Sequence, residues 1–236
     1  MALTGFGPVY YLNTQNTNKF EEECRSLGIE AIAISPIDLD CISDYLMTYP
    51  RGYYRTELSK KEVAMTVSHL EIIRYGLEHS SDDSITICED TLSFDTISKW
   101  PFSWSEIMEN VPHTYDALQC CITFTATTTP VLSLHPYYGE RSVSCYRITR
   151  GYAEKLMRLY RTNGKYQLEK VYPHATAEEV IYHSGITFTF PLFAKKYEPN
   201  LDSQYEHSPE YHSSSLIHSF WTNIYNVSDP ALLFRF

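Results

Sequence analysis

The sequence predicts an α/β fold, a sheet with helices packed against it, and three observations near its start lead to this prediction. A short apolar strand occupies residues 9–12, an amphipathic helix fits about 18–27, and a second apolar strand fits 29–34. A chain of 236 residues, of which 43% are hydrophobic, is long enough to bury one sizeable core. We therefore expect a single domain over residues 1–236, with a polar C-terminal segment from about residue 201.

Helix signals identify the elements that follow. In the first helix Phe20, Cys24 and Leu27 recur at the spacing of one helical face. The strongest helix begins at a capping box formed by Ser59 and Glu62, whose side chains satisfy free N–H groups of the first turn. Ser or Thr at a helix start predicts three further helices, which begin at Ser103, Thr149 and Thr176.

Short apolar or β-branched runs between these helices indicate the remaining strands. We expect strands over residues 85–88, 117–124, 143–148 and 186–190, and we expect the last of them to end at Pro191.

Composition excludes several classes of protein. The net charge is −10 and no cluster of Lys and Arg stands out, so a nucleic-acid partner is not expected. No run approaches the roughly 18 apolar residues of a membrane-spanning helix, and the N-terminal residues do not follow the pattern of a signal peptide. We therefore expect a cytoplasmic protein without a transmembrane segment. Its six cysteines form no CxxC pair, and we expect them to be reduced and mostly buried.

The segment ITICEDTLSFD, residues 85–95, carries the first chemical signal. An apolar strand runs directly into two adjacent carboxylates, Glu89 and Asp90. Ligands of open α/β sheets bind beyond the carboxyl ends of strands, and carboxylates there can hold a divalent cation that offsets the charge of a diphosphate. The alternative is an ordinary polar turn after a strand.

The surrounding sequence resembles glycosyltransferase family 25, which contains lipooligosaccharide and procollagen galactosyltransferases. Three segments, which span most of residues 9–160 in the same order, carry the resemblance: VYYLNTQNTNKFEEECRSLGI, LSKKEVAMTVSHLEIIRYGLEHSSDDSITICEDTLSFD and SCYRITRGYAEKLM. The resemblance implies a GT-A-like nucleotide-sugar-binding fold, with a mixed, mostly parallel sheet flanked by helices. It implies transfer of a hexose with inversion, galactose or glucose favoured, from a nucleotide-sugar donor to a glycan or protein hydroxyl. A UDP-hexose is the favoured donor.

The resemblance also implies which residues surround the donor. These donor-site residues are Leu12, Asn13, Glu62, Ser68, His69, Glu89, Asp90 and Arg150. Structural alternatives exist for three of them. Glu62 completes a capping box, His69 can be a core histidine satisfied by a hydrogen bond, and Arg150 can cover the surface at a helix start.

A divalent cation, Mn²⁺ or Mg²⁺, is expected at Glu89 and Asp90, with His218 as a further ligand. The family usually has Glu-Asp-Asp, whereas the third position here is Thr91, whose neutral hydroxyl is a poorer ligand. The metal can therefore be weakly bound, can recruit Asp95, or can be lost. For His207, His212 and His218 the alternative is a set of exposed polar tail residues.

An inverting transfer needs a general base that takes the proton of the acceptor hydroxyl. The family has an acidic residue at the start of a short helix, where this chain has Glu178 and Glu179. We predict Glu178 as the base and Glu179 as the second candidate, because Glu179 also fits the N3 position of a capping box that begins at Thr176.

Two other readings of the sequence compete with the enzyme. The first is a catalytically degenerate GT-A-like protein that binds a sugar nucleotide or glycan without transfer, and Thr91 motivates it. The second is a nicotinamide-dependent enzyme, against which the sequence argues because no GxGxxG motif follows the first strand; Gly5 and Gly7 precede it.

Overall fold

The computed structural model describes seven stretches of the chain, and every structural statement below concerns them. They are residues 3–15, 17–47, 58–124, 131–168, 176–196, 208–224 and 229–235.

Strands and helices alternate along most of the chain, as the sequence predicts. The strands are β1 Val9–Leu12, β2 Ala31–Ile34, β3 Ser84–Glu89, β4 Leu92–Ser93, β5 Ala117–Cys121, β6 His135–Pro136, β7 Cys145–Thr149, β8 Arg161–Thr162, β9 Lys165–Tyr166 and β10 Thr187–Lys195. The helices are α1 Lys19–Ser26, α2 Ile42–Tyr45, α3 Lys60–His79, α4 Trp104–Asn110, α5 Arg150–Tyr160, α6 Ala177–Tyr182 and α7 Pro209–Thr222. Two 3₁₀ turns cover Ile97–Lys99 and Pro230–Phe234.

Eight of the strands form one mixed sheet. Seven lie in the order β2-β1-β3-β7-β5-β10-β4, and β6 pairs with β10 outside this path. Five strands, β1, β2, β3, β5 and β10, run in the same direction, while β7, β4 and β6 run against their neighbours. The expected fold class, a mixed and mostly parallel sheet flanked by helices, is confirmed.

Helices cover both faces of this sheet. Successive side chains of a strand point to opposite faces. Val9 and Tyr11 accordingly join one core with side chains of α1, α4 and α7, while Tyr10 and Leu12 join a second core with α3, α5 and α6. All six cysteines are free and five of them are buried.

Three helices begin at the capping boxes that the sequence contains. The N-cap side chains of Ser59, Ser103 and Thr176 each accept a hydrogen bond from the N–H of a glutamate three residues later, which returns one. Thr149 caps α5 with its hydroxyl alone. These starts are local and depend on residues adjacent in sequence, which is why the pattern identifies them.

The predicted end of the last strand at Pro191 is wrong, because β10 continues to Lys195. Its register with β5 shifts between Thr189 and Phe193, which is a bulge. A proline is tolerated at a bulge because its missing N–H is not needed for the ladder there. The continuation carries β10 to the end of the sheet where the candidate site lies.

The segment expected to be a polar tail contains α7. Ser208 caps this helix, and Pro209 occupies its first turn. Ile217 and Trp221, four residues apart on one face, are fully buried, and the indole Nε1 of Trp221 donates to the carbonyl of Pro191 at 2.9 Å. The many Ser, His and Tyr residues of this segment obscure a narrow apolar stripe that is enough to dock the helix on β10.

Among the residues that the structure describes, none of the helices has the length and apolar character needed to cross a membrane.

Candidate ligand-binding site

Four strands each have one end at the same end of the sheet, which we call the carboxyl edge. Three polar side chains come together there. Leu12, the last residue of β1, pairs with Glu89, the last residue of β3. The N–H of Glu89 donates to the carbonyl of Ser144, directly before β7, at 2.9 Å. Lys195 ends β10 and brings its ammonium Nζ to 3.7 Å from Oε2 of Glu89. The chemistry of this edge therefore centres on Glu89.

Glu89 is an ionised carboxylate in a buried position, with only 9% of the residue exposed. Its Oε2 accepts a short hydrogen bond from the hydroxyl of Ser144, and the hydroxyl of Thr91 lies 3.5 Å away. Burial by itself raises the pKa of Glu89, but His69, the positive charge of Lys195 and the Ser144 hydrogen bond outweigh it and lower the pKa to about 2. Glu89 is therefore charged at neutral pH.

His69 lies beneath Glu89, in the middle of α3, and its side chain is fully buried. Its Nδ1 is 3.0 Å from the hydroxyl of Tyr146, and its Nε2 is 3.7 Å from Oε1 of Glu89. Nε2 has no hydrogen-bond partner within the described part of the chain. His69 thus supports the carboxylate from below and does not reach the open space above it.

Asp90, the second predicted carboxylate, is engaged with the loop after β1. Its two oxygens accept hydrogen bonds from the hydroxyl of Thr14 at 2.6 Å and from the N–H of Gln15 at 2.7 Å. Its own N–H donates to the carbonyl of Leu12 at 3.1 Å, and only 3% of Asp90 is exposed. Asp90 therefore fastens two loops together at the edge of the sheet.

A cavity of about 690 Å³ opens above Glu89, and we name it the first cavity. It lies between the start of α3, the loop 137–144, the start of α6 and the end of β10. Its charged lining residues are Glu62, Glu89, Glu178, Glu179, Arg141 and Lys195, joined by His183. Its volume falls in the range of pockets that bind small ligands, roughly 300–1,000 Å³.

Glu178 and Glu179 both reach the first cavity, but their hydrogen bonds differ. Glu179 completes the capping box, and its Oε2 is 3.3 Å from both the N and the hydroxyl of Thr176. Oε1 of Glu178 accepts from the N–H of Ser142 at 3.2 Å. Glu178 therefore lines the same cavity as Glu89 and Ser144, and it takes no part in the helix cap.

Ser142, in the wall of the first cavity beside Glu178, has a strained backbone conformation. Its φ of 111° is in a region that favours glycine. Its carbonyl accepts hydrogen bonds from Nε2 of Gln119 and from the hydroxyl of Tyr182, both at 2.9 Å, and its hydroxyl accepts from the N–H of Ser144. Strain that is fixed by so many partners is characteristic of functional sites.

The remaining predicted donor-site residues differ in whether they line the first cavity. Glu62 lines the first cavity and also completes the capping box of α3. Leu12 is buried, and Oδ1 of Asn13 accepts from the N–H of Thr17 at 3.2 Å. The hydroxyl of Ser68 is buried between the N–H of Ile37 and the carbonyl of Ala64.

Arg150 is not brought to this edge. It follows β7, at the end of the sheet where Ser84 begins β3 and pairs with Thr149. Its guanidinium donates to the carbonyls of Leu77 and Ser80, at 3.0 and 2.7 Å. Arg150 thus satisfies the C-terminal carbonyls of α3.

His218 lies on α7 and lines a second cavity of about 550 Å³. This second cavity is bounded by the end of β10, by β4 and by α7, and its charged lining residues are Asp95, Lys195 and Lys196. Lys195 lines both cavities. His212 is exposed on the same helix, and His207 lies outside the described residues.

The expected divalent-cation ligands do not converge on one point. Both oxygens of Asp90 are used by Thr14 and Gln15, and His218 faces the second cavity, whereas Glu89 faces the first. The described stretches contain no group of three or more His, Cys, Asp or Glu side chains that could hold a metal ion. Among the described residues, Glu89, Asp90 and His218 therefore do not form a cation site, and the cationic side chain at Glu89 is Lys195.

Sequence reasoning missed Lys195, Ser144, Ser142 and Arg141 at this site. Lys195 follows a strand that was expected to end at Pro191. Arg141 and Ser142 precede the predicted strand 143–148, and Ser144 lies within it without a chemical signal of its own. A strand prediction that allowed a bulge at the proline would have brought Lys195 to the same edge as Glu89.

Comparisons with known proteins give structural likeness without sequence likeness. No family model matches the sequence, and no curated protein matches it. The solved structure of A197 from STIV has a TM-score of 0.49 at 9% identity, over 81% of this chain and 86% of that one. A glycosyltransferase involved in glycosylation of the major capsid of PBCV-1 has a TM-score of 0.42 at 9% identity, over 88% of this chain and 99% of that one.

A third structure, the glycosyltransferase GlyE of Streptococcus pneumoniae TIGR4, has a TM-score of 0.43 at 10% identity, over 97% of this chain and 63% of that one. Likenesses at this level carry no argument about function, which has to come from the geometry of the site.

Proposed function

We propose that this protein is a GT-A-like hexosyltransferase of family 25 type, which transfers galactose or glucose from a nucleotide-sugar donor, a UDP-hexose favoured, to a glycan or protein hydroxyl. The observation that supports it most is the pair Glu89 and Glu178, which face one cavity at the carboxyl edge of the sheet. Ligands of α/β sheets bind at this edge. The polar lining suits a sugar, whose hydroxyls need several hydrogen-bonding partners.

In this proposal Glu178 is the general base. One of its oxygens is held by the N–H of Ser142, which fixes the direction of the carboxylate. The acceptor oxygen forms a bond to the anomeric carbon while its proton passes to Glu178. The bond from the anomeric carbon to the donor phosphate breaks, and the nucleoside diphosphate leaves with the bonding electrons. Attack from the face opposite the leaving group inverts the anomeric carbon.

Two neighbouring glutamates provide a matched test of this role. Glu178→Gln should reduce hexose transfer, or donor hydrolysis, by about 10²–10⁴-fold, because an amide cannot accept the proton. It should leave the melting temperature nearly unchanged. Glu179→Gln should retain activity and weaken the cap of α6, at a cost of about 1 kcal/mol or less in the free energy of unfolding. Equal activity of wild type and Glu178→Gln would exclude Glu178 as the base.

The first measurement is a thermal-shift panel of UDP, GDP, CMP and NAD. A ligand that binds only the native state at about a hundred times its Kd adds roughly 2.7 kcal/mol to the free energy of unfolding. A shift with one nucleoside diphosphate would name the donor class. The same panel with and without Mn²⁺ tests the divalent cation that the resemblance implies.

A catalytically degenerate protein that binds a sugar nucleotide or glycan without transfer is the second candidate. Thr91 in place of a carboxylate and the full engagement of Asp90 favour it. Binding of a nucleotide sugar with neither transfer nor hydrolysis, in wild type and in Glu178→Gln alike, would support this candidate over the enzyme.

A further inference from the structure

Lys195 is a lining residue that the two cavities share, and 28% of its side chain is exposed. Its Nζ is 3.7 Å from Oε2 of Glu89. Glu89 is in turn held by Ser144 and supported by His69, so the cation lies beside a rigid carboxylate.

Among the described lining residues, the charges of the two cavities differ in sign. The first cavity has four carboxylates, Glu62, Glu89, Glu178 and Glu179, against Arg141 and Lys195. The second has Lys195 and Lys196 against Asp95. The excess of positive charge among these residues therefore lies towards the second cavity.

Hydroxyls of α7 complete the polar lining of the second cavity. Ser214, Ser215, Ser219 and Thr222 face it, and the hydroxyl of Ser214 accepts from the N–H of Lys195 at 3.1 Å. This hydrogen bond fixes the end of β10 against α7. Lys196 is partly neutralised, since its Nζ lies 2.6 Å from Oε2 of Glu23. Lys195, itself 3.7 Å from Oε2 of Glu89, and His218 are the two basic side chains that remain to meet a ligand.

We infer that Lys195, with His218 opposite it on α7, is a phosphate-binding site that offsets the charge of the donor's diphosphate without a divalent cation. This inference rests on the proposed function, and it explains why the expected cation ligands do not converge. A donor that spans both cavities would place its sugar near Glu178 and its phosphates at Lys195. The lysine would then stabilise the negative charge that develops on the leaving diphosphate.

Calorimetric titration with inorganic pyrophosphate tests the inference directly, since this probe has the phosphates and lacks the sugar and base. We expect pyrophosphate to bind wild type in EDTA, where no divalent cation is free. Lys195→Met should weaken binding at least about tenfold, the usual effect of losing a hydrogen bond to a charged group. Lys195→Arg should remain within a few-fold of wild type. Added salt should weaken binding by screening.

Two further variants complete the experiment. Lys99→Met removes an exposed lysine on the turn Ile97–Lys99, which lines neither cavity, and should bind as wild type. His218→Ala removes an exposed side chain of α7 that the fold does not need, and should weaken binding several-fold. It provides an independent result if Lys195→Met fails to unfold cooperatively.

The inference is overturned by binding that requires Mg²⁺, by no binding in EDTA, or by wild-type affinity in both Lys195→Met and His218→Ala. The proposed function fails separately. Lys195-dependent binding of pyrophosphate with no transfer from any donor would support the phosphate site and contradict the proposed transferase. Transfer that depends on Glu178 and on Mg²⁺ would support the transferase and contradict the metal-free phosphate site.

Discussion

Glu89 is a charged side chain in a buried position, and its neighbours determine whether the position is tolerable. An unpaired carboxylate there would cost several kcal/mol. Ser144, Lys195 and His69 approach it from three different elements and lower its pKa. None of these neighbours is adjacent to Glu89 in sequence, so the ED motif alone indicates the carboxylate and says nothing about what stabilises it.

The lowered pKa of Glu89 predicts a pH-dependent contribution to stability. Its pKa falls from an ordinary 4.5 to about 2 on folding. The charged form therefore stabilises the native state above about pH 4.5, by at most about 3 kcal/mol, and this stabilisation is lost as the pH falls through 2. Glu89→Gln should lower the free energy of unfolding by about this amount at pH 7 and by roughly half of it at pH 3.

Urea unfolding at the two pH values measures the effect, with Glu109→Gln on the exposed face of α4 as the control. Glu109→Gln should change the free energy of unfolding little at either pH, because its side chain is in solvent. An equal loss for Glu89→Gln at pH 3 and pH 7 would mean that packing, rather than charge, explains the role of Glu89.

Helices and strands differ in how far local sequence defines them. The capping boxes at Ser59, Ser103 and Thr176 are found where the sequence predicts them, because a cap depends on residues three positions apart. The end of β10 was predicted wrongly at Pro191, because pairing with a distant strand decides where a strand ends.

At the junction of α6 and β10, replacing a glycine by alanine should lower the free energy of unfolding, whereas the same replacement in α5 should not. A Cβ at Gly185 would lie 2.5 Å from Cε2 of Tyr152 and 2.7 Å from Oδ2 of Asp116, whereas a Cβ at Gly151 meets nothing within 4 Å. Gly185→Ala should therefore lower the free energy of unfolding by about 1–3 kcal/mol. Gly151→Ala, exposed in α5, should raise it by up to about 1 kcal/mol.

Thermal unfolding of the two alanine variants decides the point. A melting temperature of Gly185→Ala at or above that of Gly151→Ala would show that the junction can move apart without cost.

At the scale of the whole molecule, α7 closes one face of the sheet and forms a wall of the second cavity. Trp221 anchors it among the rings of Trp100, Phe102 and Phe190, with ring centroids 5.7 to 6.3 Å away. Its indole also donates to the carbonyl of Pro191 at the β10 bulge. The helix thus holds the end of β10, and Lys195 with it, in place.

Removal of this anchor should destabilise the fold as a whole. Trp221→Ala leaves a cavity and an unpaired carbonyl, and should lower the free energy of unfolding by about 3–5 kcal/mol. Leu216→Ala on the same helix, where Leu216 is 39% exposed, should cost much less. Urea unfolding compares the two, and a loss below about 1 kcal/mol for Trp221→Ala would contradict the anchoring role.

The sequence by itself determined the α/β class, the early strand–helix–strand order, the helix starts and the placement of Glu89 at a strand end. These features depend on periodicity and caps, which act within a few residues. Only the tertiary structure decided that Asp90 ties down a loop, that Arg150 lies at the opposite end of the strands, and that Lys195 reaches Glu89. The reason is that sheet order and register bring together strand ends from distant parts of the chain, and local patterns do not record which ends will meet.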